Sequence, residues 1–149
     1  MQSTELYEYD FNEWIAQQVT LLKQGKTDEI DVIHLIAELE DMGKSHLREL
    51  ESRLIILIAH LLKWQFQPNQ QSSSWRGSIN EQRLQLSRLL RKTPSLKREL
   101  THTVTEVYLD ALELATDDTG LAAATFPTTC PYPIEQLLDK TFYPSKTSQ

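Results

Sequence analysis

The sequence predicts an all-α protein: a helical bundle of about four main helices, with a long central helix and a Pro-rich, mostly irregular C-terminal tail. Residues 54–67, LIILIAHLLKWQFQ, are almost all apolar, which is typical of a helix buried on every side. Apolar residues recur at steps of three and four through residues 36–64. The tail contains four of the six prolines, which disfavour continued helix. We expect a single domain over residues 1–149, with its core at about residues 9–144.

The first predicted helix begins at Asp10 and ends near Gly25. Asp10 and Glu13 have the spacing of a capping box, and glycine commonly follows the last helical turn. The helix is amphipathic and should lie on the surface. Its apolar stripe consists of Phe11, Trp14 or Ile15, Val19 and Leu22.

The central helix should be capped by Asp28 or Asp31. The apolar positions stay in register across Gly43, although glycine disfavours a helix interior. The pattern therefore predicts either one helix from about Asp31 to Gln67 or two helices that meet near Gly43.

The third helix should begin at a serine cap, Ser73 or Ser74, and run to about Lys92. Gln82 and Arg83 fall on or beside its apolar stripe, where leucine would be expected.

The fourth helix is indicated by Thr93 followed by Pro94, a cap with proline at the first helical position, and should end before Gly120. A short amphipathic turn is expected at residues 134–139.

Charge is unevenly distributed along the chain. Residues 1–51 carry a formal charge of −8, residues 52–98 carry +8, and residues 99–149 carry −6. One interpretation is a basic middle segment packed between acidic flanks, and the other is an anion or nucleic-acid surface on that segment. The pI near 5.2 favours the first interpretation, so nucleic acid is not favoured as a partner.

The composition also restricts the class of protein. A single cysteine, Cys130, excludes an internal disulfide framework and a cysteine-based zinc site. No apolar run reaches the roughly 18 residues of a membrane span, and the acidic N-terminus does not resemble a secretory signal. We therefore expect a cytoplasmic protein without a membrane partner, and no motif indicates a cofactor.

His34, Glu38 and Asp41 are spaced so that all three side chains share one helix face. Imidazole with two carboxylates is a ligand set for zinc, iron or manganese, so these residues are weak candidates for a metal site. The simpler interpretation is a solvated acidic face with a histidine beside it.

His60 lies within the apolar run, and its neighbours at i−4, i−3 and i+4 are Ile56, Leu57 and Trp64, so no carboxylate lies one turn away. A buried imidazole without a partner costs about 1–3 kcal/mol, so we expect a partner from another helix. The candidates are Glu38, Glu81, Gln82 or a backbone carbonyl. His60 is then either a satisfied core histidine or a base or ligand in a cleft.

A second polar group follows on the third helix. Trp75, Arg76, Glu81 and Arg83 would place an indole, two guanidiniums and a carboxylate near its first turns. The arginines would either bind an anionic ligand or pair with the acids of residues 28–51. The candidate polar core or cleft comprises Glu38, Asp41, His60, Trp64, Trp75, Arg76, Glu81 and Arg83.

Several stretches resemble a bacterial family, frequent in cyanobacteria, known as domain of unknown function 29. The resemblance covers about residues 9–144 and implies an all-helical domain without an assigned activity. The matching stretches are residues 9–14 (YDFNEW), 36–43 (IAELEDMG), 57–68 (ending HLLKWQFQP), 74–76 with 81–83 (SWR and EQR), and 126–132 (FPTTCPY).

These observations favour a non-enzymatic interaction or regulatory module over an enzyme. No complete catalytic set is present, whereas three tryptophans and several arginines, residue types that anchor interfaces, occur near the predicted helix ends. The partner would be an unidentified protein, and self-association is left open. The alternative is a small metal-dependent or nucleic-acid-processing enzyme that uses His60, Glu38, Glu81, Arg76 and Arg83.

Overall fold

A computed structural model describes residues 2–146 of the chain and confirms the all-α fold. Among these residues, three short 3₁₀ segments separate some of the helices. Within the described residues the α-helices are α1 (Ser3–Tyr9), α2 (Phe11–Lys23), α3 (Val32–Phe66), α4 (Ser73–Lys92), α5 (Leu100–Thr119) and α6 (Ile134–Leu138). No helix within residues 2–146 combines the length and apolar character needed to cross a bilayer.

The predicted helix boundaries are close to those observed. The side chain of Asp10 accepts a 3.1 Å hydrogen bond from the backbone N–H of Glu13, which confirms the predicted cap of α2. Asp31 caps α3. The cap of α4 is Ser72 rather than Ser73 or Ser74, because the Ser72 hydroxyl accepts from the backbone N–H of Trp75.

The region predicted as the fourth helix is divided in two. Thr93 and Pro94 start a 3₁₀ segment, Pro94–Glu99, and α5 follows directly. Gly120 ends α5 in the left-handed region, with a φ of +73° that glycine adopts without strain.

Gly43 does not interrupt the central helix. Residues on both sides of it belong to α3, a single helix of 35 residues. A continuous i to i+4 hydrogen-bond ladder tolerates one glycine at a cost of about 1 kcal/mol. Of the two predicted alternatives, the single helix is therefore correct.

The chain divides into two compact units, one up to Ser45 and one from His46 onward. The expectation of a single domain over residues 1–149 stays a prediction. Among residues 2–45 of the first unit, Leu6 and Trp14 are the buried apolar side chains.

The second unit has a larger apolar core. The apolar run of α3 supplies its centre, and α4, α5 and the tail cover it. The fully buried side chains of that run are Leu54, Leu57, Ile58, Ala59, Leu61 and Leu62. The tail also contributes to this core through the buried side chains of Phe126, Tyr132 and Leu137.

Candidate functional site

A buried carboxylate, that of Asp31, organises the first unit. One oxygen accepts from the indole N–H of Trp14 at 3.1 Å and from Nδ1–H of His34 at 2.6 Å. The other accepts from the backbone N–H of His34, which caps α3. Gln18 completes the cluster by accepting from the backbone N–H of Asp31 at 2.7 Å. These bonds fix α2 against the start of α3.

Burial of Asp31 acts to raise the pKa of its carboxyl, but the hydrogen bonds from His34 and Trp14 outweigh it. The pKa therefore lies below its ordinary value. Asp31 stays ionised at neutral pH, as an acceptor for three donors must.

Tyr7 joins α1 to this cluster. Its ring stacks on His34 with 3.8 Å between the ring centroids, and its hydroxyl donates to Glu38. The hydrogen bond to Glu38 is the main cause that raises the pKa of Tyr7 to about 12; slight burial and the charges of Glu38, Glu8 and Asp41 add to it. The neutral phenol of Tyr7 on α1 thus fixes the side chain of Glu38 on α3.

The outward side of α2 carries apolar side chains. An apolar stripe normally faces a core, yet Phe11 is 43% exposed and Leu39 of α3 is 65% exposed. The inward positions of α2 are instead taken by Trp14 and Gln18, which are bound to Asp31. Trp14 and Gln18 lie beside the stripe on the helix surface, so their bonds to Asp31 turn that edge of α2 inward and leave the stripe partly exposed.

These exposed side chains line an apolar groove between α2 and the first turns of α3. Its volume is about 370 Å³, and Leu35 and Glu38 lie in the wall formed by α3. We call this surface the α2–α3 groove. Its principal apolar side chains are Phe11, Ile15, Val19, Leu22, Leu39 and Met42.

The weak candidates for a metal site have other partners. His34 binds Asp31, and Glu38 accepts from Tyr7, while Asp41 is exposed one turn further along α3. Across residues 2–146, no three His, Cys, Asp or Glu side chains are arranged to hold a metal ion.

His60 is only partly buried. Its Nδ1–H donates to the backbone carbonyl of Ile56, one turn earlier on the same helix, at 2.9 Å. The expectation of a partner from another helix is therefore wrong: partial exposure lets an imidazole be satisfied locally. Burial lowers the pKa of His60, the charge of Lys63 adds to this effect, and Asp118 opposes it.

Lys63, a charged residue within the apolar run for which the sequence indicated no partner, is 5% exposed. Its ammonium donates to Asp118 of α5 at 3.0 Å and lies 4.9 Å from the centroid of the Trp75 ring. The cation is thus paired on one side and stacked on the other, which compensates for its burial. The sequence contains one indication of this ion pair, which is the presence of a lysine among the apolar residues 54–67.

Arg83 is 2% exposed and binds the tail. Its Nε donates to the backbone carbonyl of Leu137 at 2.9 Å, Nη1 to Phe142 at 2.7 Å, and Nη2 to Gln136 at 3.0 Å. Burial lowers the pKa of Arg83, and the charges of Tyr143 and Asp139 oppose this shift. All three nitrogens of the guanidinium are engaged with the chain itself.

Arg76 also contacts the tail. Its guanidinium carbon lies 4.6 Å from the centroid of the Tyr143 ring and 5.2 Å from that of Trp64. The expectation that Arg76 and Arg83 pair with the acids of residues 28–51 is therefore wrong. The two arginines instead contact backbone carbonyls and aromatic rings, most of them in the irregular tail. Residue spacing in the sequence does not predict such contacts.

Glu81 is separate from these contacts. It is exposed and accepts from the side chain of Gln85, one turn later on α4, at 2.9 Å. Within the described residues of the second unit, Trp75 contacts the Lys63–Asp118 pair and Trp64, Arg76 and Arg83 contact the tail or its arginine partners, while His60 and Glu81 bond only within their own helices. Every buried polar side-chain atom in the described part of the chain has a hydrogen-bond partner.

Comparison with known proteins identifies the family. The family model described as Domain of unknown function DUF29 matches residues 6–143, nearly the whole chain. The chain belongs to this family. The resemblance found in the sequence is thereby confirmed, and the DUF29 description assigns no activity. Neither a curated protein nor a solved structure matched the chain.

Proposed function

We propose that this DUF29 protein is a non-enzymatic interaction module that binds a basic amphipathic helix of another protein in the α2–α3 groove. The supporting observation is a row of half-exposed apolar side chains on two adjacent helices of the first unit. A contiguous apolar patch that stays exposed after folding is typical of a site that binds another molecule.

The spacing of the row suits a helical ligand. Phe11, Ile15, Val19 and Leu22 recur every three to four residues along α2, and Leu35, Leu39 and Met42 do so along α3. The α2 row is about 16 Å long, or three helical turns. A ligand helix with apolar anchors at i, i+4, i+7 and i+11 matches that length.

Charge selects the type of helix. Residues 1–45 hold ten acidic and three basic side chains, and Glu38 lies in the groove wall itself. A ligand with Lys or Arg beside its apolar stripe would find complementary charge along the edges. A second copy of this chain is disfavoured as occupant, because its own residues 1–45 carry the same acidic excess.

The experiment is a selection from a displayed library of helices about 18 residues long. The apolar anchors are fixed, and the other positions vary among Lys, Glu, Gln and Ala. The target is the whole protein. We expect enriched helices to carry net positive charge and to lose affinity at least about tenfold for the Leu39→Glu variant.

Ile33→Glu is the matched control, because Ile33 is 78% exposed on the same helix but does not line the groove. Selected helices should bind this variant within about twofold of the wild type. Enrichment of acidic helices, no enrichment, or equal loss with both variants would overturn the proposal. So would a dimer, detected by light scattering, that Leu39→Glu dissociates.

The alternative function, a small metal-dependent or nucleic-acid-processing enzyme, stays a prediction. It requires His60, Glu38, Glu81, Arg76 and Arg83 to act as one site, and each has the separate partner described above. Analysis of the metal content of protein purified without a histidine tag tests it. About one bound equivalent of a transition metal would favour the enzyme.

A further inference from the structure

We infer that the second unit contains a separate binding pocket for a small organic anion that carries two or more phosphate groups. This pocket lies between α4, the turn that follows it and the segment after α6. Its volume is about 450 Å³, which is within the usual range for small-molecule sites. It is independent of the α2–α3 groove, and we call it the basic pocket.

Cationic side chains dominate the lining of the basic pocket. Arg91, Lys97 and Lys140 line it together with Arg83, and none of the described residues that line it is acidic. Positive charges in a concave site reinforce one another and concentrate anions. Arg83 contributes positive electrostatic potential to the pocket but no direct contact with a ligand, because its nitrogens are bound to tail carbonyls.

The remaining three cations are available for a ligand. None of the ion pairs within residues 2–146 involves Arg91, Lys97 or Lys140. The nearest carboxylate in sequence, Asp139, accepts hydrogen bonds from both the backbone and the side chain of Thr141. Arginine forms bidentate contacts with phosphate, and lysine adds point charge, so the set suits a multiply charged phosphate ligand.

The pocket also has a hydroxyl and an apolar part. Ser87 lies one turn after Arg83 on α4 and offers a donor, while Leu90, Pro94 and Leu138 form an apolar surface. A ligand with phosphates at one end and a flat, weakly polar group at the other would use both. A nucleoside diphosphate has this chemistry and fits the volume.

Calorimetric titration of the whole protein with ADP, with pyrophosphate and with adenosine tests this inference. We expect ADP to bind more tightly than pyrophosphate and adenosine to bind least. The Arg91→Ala and Lys97→Ala variants change exposed side chains, so the fold should persist, and each should weaken ADP binding about tenfold.

Arg88→Ala and Lys92→Ala are controls of equal charge change. Both side chains are exposed on α4 and do not line the pocket, so ADP affinity should change by less than about twofold. No ADP binding at millimolar concentration, or equal loss in controls and pocket variants, would overturn the inference. Pyrophosphate binding as tightly as ADP would overturn the role of the apolar surface.

Discussion

Nη1 of Arg83 donates a 2.7 Å hydrogen bond to the backbone carbonyl of Phe142, 59 positions later in the chain. Together with its bonds to Leu137 and Gln136, this contact makes one buried side chain the main polar anchor of the tail. The tail has little secondary structure of its own, and the carbonyls of Leu137 and Phe142 take this guanidinium as their hydrogen-bond donor.

Replacing Arg83 should therefore destabilise the second unit. For Arg83→Met we expect a loss of about 3 kcal/mol, because the carbonyls of Leu137 and Phe142 lose their guanidinium donor and Gln136 keeps only the backbone N–H of Asp139. Arg83→Lys should recover only part of the loss, since an ammonium does not have the planar geometry of the guanidinium. Urea unfolding measures both. Arg88→Met, on the exposed side of α4, is the control, and an equal loss there would contradict this role of Arg83.

Replacing Gly43, in contrast, should stabilise the protein. It lies inside α3, and a Cβ added there meets no atom within 4 Å. Gly43→Ala should raise the free energy of unfolding by about 0.5–1 kcal/mol, because alanine has the higher helix propensity. Thermal unfolding by circular dichroism would show this as a higher midpoint.

Gly120→Ala is the matched comparison. The space around Gly120 is equally open, but its φ of +73° disfavours any residue with a Cβ. We expect a loss of about 1 kcal/mol there. Two substitutions with effects of the same sign would show that conformation does not distinguish these glycines.

The Lys63–Asp118 pair should show unequal effects of its two halves. Asp118→Asn leaves a buried ammonium without its counter-charge and should lower stability by about 1–2 kcal/mol, a moderate value because Asp118 is partly exposed. Lys63→Met replaces the cation by an apolar side chain of similar length and should cost less. A double-mutant cycle measures the coupling, with Asp117→Asn, an exposed neighbour, as control.

His60 predicts how stability depends on pH. Burial lowers the pKa of His60 in the folded protein, so the unfolded chain binds a proton more readily. The stabilising contribution is fully present above the unfolded pKa of about 6.5 and is lost as the pH falls through the folded pKa. His60→Gln should reduce the fall in unfolding free energy between about pH 7.5 and pH 5.5.

His102→Gln is the control for this measurement. His102 is exposed and pairs with Glu106 on the same helix. If His60→Gln and His102→Gln change the pH dependence equally, partial burial of His60 is not the cause.

Sequence patterns predicted most of the fold because helix periodicity and caps are local. Asp10 with Glu13 marked the start of α2, and the register across Gly43 was compatible with one long α3. α1 was missed because seven residues carry little periodic signal and a helix that short depends on tertiary contacts. Leu6 and Tyr7 supply those contacts.

The candidate site was less predictable because its contacts are long-range. Asp31 was identified as a possible cap, but nothing in the sequence linked it to Trp14. The apolar stripe of α2 was recognised, whereas its exposure depends on that bond, which turns the neighbouring edge of α2, at Trp14, inward. The partners of Arg83 lie in the irregular tail, where the spacing of residues does not predict which groups come close together.

The interaction proposal is tested most directly by the affinity of one basic amphipathic helix for wild-type protein, Leu39→Glu and Ile33→Glu. We predict that Leu39→Glu weakens binding at least about tenfold, while Ile33→Glu changes it by less than about twofold. Equal affinity for the wild type and Leu39→Glu would show that the helix binds elsewhere and would contradict the α2–α3 groove as the recognition surface.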